Sequence, residues 1–399
     1  MNENENLENN GGQEKKQNIF KRCAKNIKNE FVVSFAKRKA LKVMFFITLL
    51  SLVVSVIAIF SRTFAEYYSV SVGRFFRFIL AKITGVLPFS LAETLFALTV
   101  VLLPCSVVIM IYQAIARTDY EKRYEPKFNR VAIFCMMLVF SLHNFAFAPC
   151  SRRVPAGENF FLEAKPLSTQ QIYDCLIIVQ DEIHKILEES EIRTLPSGSS
   201  ISPYTFGECN EKLNEIYKNA SKKYNFIDGF SSRVKPIALS ELMTYTHVSG
   251  VYIPFTGEAN LNTNYPDYVT VFSMGHEMAH QRGISHEDEA NFVAFKLMYE
   301  SDEPYLRYCA LTELFVYLSD TLYQEDEELF YQSLYLCDGR IYGEMVGYSN
   351  FFKPYQNSPA ATVSNAINDA SIKLRGDSNG VKSYNAMIEL AAAYFGVTE

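Results

Sequence analysis

Gly275-His276-Glu277-Met278-Ala279-His280-Gln281-Arg282-Gly283 is the stretch whose reading decides this chain. The spacing predicts a helix over Asp267 to Arg282, with Pro266 just before it and Gly283 at its end. Residues four apart on a helix share a face, about 6 Å up the axis. His276 and His280 can therefore offer two imidazoles to one Zn²⁺ ion at tetrahedral angles. Glu277, one position after the first His, reaches a water molecule rather than the metal, and can move its proton to a leaving amine. Val271, Phe272, Met274, Met278 and Ala279 can bury the rest of the helix. The chain has only six His, so a chance match to this spacing is rare, roughly one in a hundred or less. The plain alternative is two surface histidines beside a glutamate. With Asp267, Glu277 and Arg282 inside it, the helix is too short and too charged to lie in a bilayer, which argues against an intramembrane protease.

Three residues compete to complete the site. His286 extends the pattern to His-Glu-x-x-His-x-x-Gly-x-x-His, and Glu287 and Glu289 open the next helix. The longer pattern also calls for a Met turn beneath the metal, but Met298, the nearest downstream Met, reads as helix interior. Glu287 is the preferred ligand, with Asn291 on the same face to steady its carboxylate, and Glu289 pointing roughly the other way.

Upstream, the composition changes. Residues 1–42 form a tail that is polar at first and then rich in Lys and Arg, and reads as disordered and cytoplasmic. Residues 43–150 hold three apolar runs that predict three transmembrane helices: Val43 to Phe60, a span within Val86 to Ala116, and Val131 to Ala148. Between the first two, Ser61 to Gly85 reads as an amphipathic helix in the membrane interface or as a plain loop. Arg117, Lys122, Arg123, Lys127 and Arg130 mark a cytoplasmic loop, so residues 151–399 are expected outside the cytoplasm.

In that last segment the pattern predicts helices from Ser168 to Glu189 and from Thr205 to Tyr224. It predicts strands near Arg233 to Leu239 and Val248 to Phe255, and helices with short breaks from Glu287 to Phe395. Glu258 and Asn260 either lie near the cleft or make a turn and cap helices; His247 and Tyr252 are packing residues or oxyanion partners. The eight cysteines form no zinc-binding spacing and read mostly as buried free thiols. A net charge of −6 gives no reason to expect nucleic acid.

Four stretches resemble a known family: Tyr252 to Asn260, Gly275 to Gly283, Glu287 to Phe292 and Asn379 to Tyr384. The family is domain-of-unknown-function family 3810, bacterial membrane proteins that look like zinc metallopeptidases. The resemblance implies an α+β, mostly helical zincin-like domain behind a membrane α-helical N-terminal part. It implies Glu277 as the catalytic base and His276, His280 and Glu287 as zinc ligands; the family carries a basic residue where His286 stands, which favours Glu287. The resulting expectation is a multi-pass cell-membrane zinc peptidase, its catalytic domain extracytoplasmic, acting on a peptide or envelope protein. The alternative is a zinc-binding membrane sensor or structural protein.

Overall fold

Long uncharged runs satisfy their own backbone hydrogen bonds best as helices, and the described apolar runs of the first 150 residues are helical. The computed structural model describes residues 38–116, 127–374 and 385–398. Its first helices are α1 (Lys39–Phe60), α2 (Arg62–Tyr68), α3 (Arg74–Gly85), α4 (Leu91–Ala116) and α5 (Lys127–Ala146), with a π-helical turn at Ser69–Gly73 joining α2 to α3. Among the described residues, α1 is the one helix long and apolar enough to cross a membrane. The second and third expected spans are helical but apolar over shorter lengths, Leu91–Cys105 and Val131–Ala146. The basic tail before residue 38 and most of the basic loop, 117–126, lie outside the described residues, as does Asn379 to Tyr384.

The described chain divides into two units, residues 38–53 with 93–142, and residues 54–92 with 143–398. In the first, the Ser141 hydroxyl donates to Thr48 Oγ1 at 3.1 Å, a polar contact between α1 and α5 in an apolar setting.

The second unit is mostly helical, with one small sheet. After the short α6 (Ala156–Asn159), α7 (Thr169–Glu189) and α8 (Phe206–Lys223) each begin at a capping box, Ser168 with Gln171 and Thr205 with Glu208. Then come β1 (Lys235–Pro236), α9 (Ser240–Thr244), β2 (Gly250–Ile253), β3 (Glu258–Leu261), α10 (Asp267–Gln281) and α11 (Glu287–Tyr299). The chain ends in α12 (Pro304–Glu325), α13 (Glu327–Leu336), α14 (Gly339–Phe352), α15 (Pro359–Leu374) and α16 (Asn385–Tyr394). The core is a helical bundle in which Leu176, Val179 and Ile183 of α7 and Leu311, Leu314 and Leu318 of α12 are fully buried beside α10 and α11. The sheet runs β1-β3-β2, with β1 parallel and β2 antiparallel to β3. Glu258 and Asn260 thus sit in the central strand rather than in a turn, and both are buried.

Residues 54–92 belong to this second unit, and charge explains why. Arg77 is fully buried; its Nε donates to Asp228 Oδ2 at 2.7 Å, while Arg74 Nε donates to Asp228 Oδ1 at 2.6 Å. Lys235 and Glu258 form a second buried pair at 2.6 Å. Lys235 also donates to the Thr84 carbonyl at the end of α3 (2.7 Å), and Glu258 accepts from the Leu91 and Ala92 amides at the start of α4 (3.1 and 2.8 Å). A cation closes one helix end and an anion opens the next, as the helix dipoles require.

Asp228→Ala should leave Arg77 buried without its counter-charge and lower stability by about 3–5 kcal/mol. Denaturant unfolding of the purified full chain measures this; a loss below about 1 kcal/mol would show the pair to be dispensable.

Candidate metal centre

Pro266 starts α10, and the Asp267 carboxylate in its first turn accepts from the Ser202 amide at 2.8 Å. At the other end Gly283 takes φ 93°, the left-handed value that glycine adopts freely. The Gly283 amide donates to the His280 carbonyl and the Ile284 amide to the Ala279 carbonyl, the two bonds of a Schellman cap. Ile284 then returns its own carbonyl to the site: His280 Nδ1 donates to it at 2.8 Å. This fixes the tautomer and leaves the Nε2 lone pair of His280 free to bind a cation.

The reversal at Gly283 brings the start of α11 back onto α10. Glu287 Oε2 lies 3.2 Å from His276 Nε2 and 3.2 Å from His280 Nε2. The donor atoms of all three residues fall within 4.8 Å of one another. Zinc bonds of about 2.0–2.1 Å at tetrahedral angles put ligand atoms about 3.3 Å apart. The donor set, two imidazoles and a carboxylate, therefore fits zinc in kind and in spacing. Burial works against a charged His276, but the Glu287 hydrogen bond and the Glu277 and Glu287 charges raise its pKa overall. Burial likewise opposes ionisation of Glu287, yet the two imidazoles hold its carboxyl well below the usual carboxylate range.

The other two candidates for the third ligand face elsewhere. His286 Nε2 meets the Ser151 carbonyl at 3.1 Å, and Glu289 Oε1 accepts from the Ala156 amide at 3.1 Å. They tie the start of α11 to the segment leading into α6 and to the first residue of α6. Met298 is buried inside α11, where its sulfur would lie 2.8 Å from a Cβ at Gly275. Asn291, the expected support of Glu287, donates to the Tyr317 hydroxyl at 3.3 Å and acts on His276. The Nδ1 of His276 is buried without a hydrogen-bond partner.

Glu277 is buried beside these residues, and its Oε2 has no hydrogen-bond partner. Burial pushes its carboxyl up, and the Glu287 charge adds to that, against the pull of both histidines and the Tyr252 amide. A Cβ at Gly250 would stand 2.6 Å from Glu277 Cγ and 2.7 Å from its Oε1, so β2 passes Glu277 as bare backbone. A cleft of about 650 Å³ opens over the site, lined by His276, Glu277, His280 and Glu287, by β2, and by Phe147, Glu313 and Tyr317.

Other expected participants are engaged. His247 Nε2 lies 2.8 Å from the Tyr355 carbonyl, while the Tyr252 hydroxyl is buried without a hydrogen-bond partner near Arg77, Cys150 and Asp228. Glu313 and Tyr317 were not foreseen from the sequence. They lie a helical turn apart on α12, and burial pushes the Glu313 carboxyl up to about 7, against the pull of His276. A second cluster, His184, Glu188 and Asp338, is already engaged by an arginine: Arg340 Nη2 donates to Glu188 at 2.5 Å and to Asp338 at 2.7 Å.

A family model described as Protein of unknown function (DUF3810) matches residues 68–392, and the chain belongs to that family. No curated protein and no solved structure matches the chain.

Glu287→Ala should weaken zinc binding by more than a hundredfold, beyond the ten- to hundredfold typical of supporting residues, whereas His286→Ala and Glu289→Ala should retain the metal. Calorimetric zinc titration of the three variants checks this, and metal loss in His286→Ala alone would reassign the ligand.

Proposed function

We propose that this protein is a membrane-anchored, zinc-dependent hydrolase of peptide bonds, with a zincin-like site. The observation that carries the reading is the convergence of His276 Nε2, His280 Nε2 and Glu287 Oε2 beside a buried Glu277 carboxyl with an unpartnered oxygen. Zinc held by these three residues would polarise a substrate carbonyl and acidify a neighbouring water.

Glu277 would take a proton from that water as the water oxygen bonds to the substrate carbonyl carbon, and would pass it to the amine nitrogen as the C–N bond breaks. Its burial favours the protonated acid, which suits the first half of that transfer, the taking of the proton. His280 is held in place through Ile284, and His276 by its contact with Glu287. β2 is an edge strand of the sheet and lines the cleft, so an extended peptide could add to it as a further strand. That feature favours a peptide over a small amide as substrate. The apolar α1 supports anchorage in the cell membrane, and the shorter apolar helices α4 and α5 support a multi-pass arrangement with an extracytoplasmic site. The substrate would then be an exported peptide or an envelope protein.

Purified protein should carry about one zinc per chain and hydrolyse a peptide mixture, and Glu277→Gln should keep the zinc while losing about 10²–10⁴-fold in rate. A Glu277→Gln variant as active as the parent would remove the mechanism. A metal-loaded parent inert on all peptides would instead support a sensor or structural role.

Gly250→Ala should displace the Glu277 carboxyl and lower the rate about tenfold or more with zinc content unchanged, because a methyl group there overlaps the carboxyl outright. Full activity in that variant would show that β2 yields and Glu277 keeps its place.

A further inference from the structure

The helical segment between α1 and α4 is inside out for a protein in water. Its buried stripe is small or polar: Ala65, Ser69, Gly73, Arg77, Ala81 and Thr84. The opposite stripe, at helical spacing, is apolar and outward: Val72, Phe75 (59% exposed), Ile83 (65%) and Val86 (80%), with Ile79 half-buried among them. Phe89 and the last turns of α1, Ile57 to Phe60, continue the apolar surface. An apolar stripe of this length, on a helical segment that starts one residue, Ser61, after a helix long and apolar enough to cross a membrane, fits a bilayer surface.

The metal cleft is built directly onto this segment. The Ser55 hydroxyl, on α1, donates to Asn144 Oδ1 at 2.8 Å. The Tyr68 hydroxyl donates to the Phe145 carbonyl (3.2 Å) and Arg77 Nη1 to the Ala146 carbonyl (2.9 Å). The next residue, Phe147, packs edge-on against the metal-site His280, its ring centroid 6.4 Å away, and lines the cleft with His143 and Ser151. Ser55 lies five residues before the end of α1, which is roughly 7–8 Å along a helix. The cleft wall at His143, next to Asn144, is therefore level with the last turns of α1.

We infer that the cleft opens at the bilayer surface and takes polypeptide segments tethered beside a membrane helix, in preference to freely diffusing peptides. This rests on the peptidase reading above. The edge strand β2 supplies main-chain groups for an extended segment, and the apolar stripe holds the cleft at the depth where such segments leave the membrane.

The chain contains no Trp, so a single introduced Trp reports its own depth. Phe75→Trp and Ile83→Trp in the full chain, placed in phosphatidylcholine–phosphatidylglycerol vesicles, should be quenched by brominated phosphatidylcholine and shielded from iodide. Tyr335→Trp, at a site 92% exposed on α13, should behave the opposite way. Iodide reaching positions 75 and 83 as freely as position 335 overturns the inference. In the same vesicles, a fluorogenic peptide joined to an apolar anchor helix by about 5 residues should be cut about tenfold faster than one joined by about 40, since effective concentration falls steeply with tether length. Equal rates for the two tethers, or a faster cut at the longer one, overturn the inference and leave the peptidase reading intact. No cleavage of either anchored peptide, or of the same peptide without an anchor, by zinc-loaded protein removes both.

Discussion

To complete a three-ligand site, the chain must turn back between His280 and Glu287 without loosening the helix that carries the histidines. The left-handed cap at Gly283 does both. It closes the carbonyls at the end of α10 and aims Ile284 so that one backbone oxygen orients His280. There is no room for any other residue at that point: a Cβ on Gly283 would lie 2.9 Å from Arg77 Nη2 and 3.2 Å from Arg153 Nη1. The cap, the ligand geometry and the anchoring of residues 62–85 therefore meet at one glycine. Arg282, just before it, is buried and donates to the Met278 carbonyl, to Asn214 and to the Phe230 carbonyl, which holds the end of α10 against the rest of the unit.

Two buried ion pairs set how the second unit is assembled. Isolated buried charges are costly, and these are tolerated because each has several partners. Asp228 receives two arginines, and Arg77 spends its remaining donors on the Ser69 and Ala146 carbonyls. Glu258 and Lys235 satisfy helix ends as well as each other. Polar groups therefore sit where an ordinary amphipathic helix would place its apolar face, and the apolar side is turned outward.

The sequence made local features legible because they depend on neighbours along the chain. Ser168 and Thr205 announce their helices through capping boxes four residues long, and His276, Glu277 and His280 announce theirs by spacing alone. Glu287 was reachable because a glycine and a helix start lie close by in sequence. β3 was not: Glu-Ala-Asn-Leu has no alternation, since a strand paired on both sides and covered on both faces buries every residue. Asp228 looked like any loop aspartate, for its partners stand some 150 positions earlier. Glu313 and Tyr317 were hidden in a long helix whose apolar pattern explained itself without them. Ser61 to Gly85 read either as an amphipathic helix or as a plain loop, and nothing local says which face meets protein. The buried arginine decided it.

Synthesis runs from the N-terminus, so Arg74 and Arg77 exist long before the aspartate they neutralise. The later part of the chain matures around a strip already synthesised, much as a casting takes the face of its mould. A polypeptide beginning at residue 151 would carry the histidines and both glutamates of the metal centre, yet Asp228 would lack both its arginines and Glu258 the amides it caps. Severed from residues 54–92, the remainder of the second unit is an incomplete molecule rather than a smaller one.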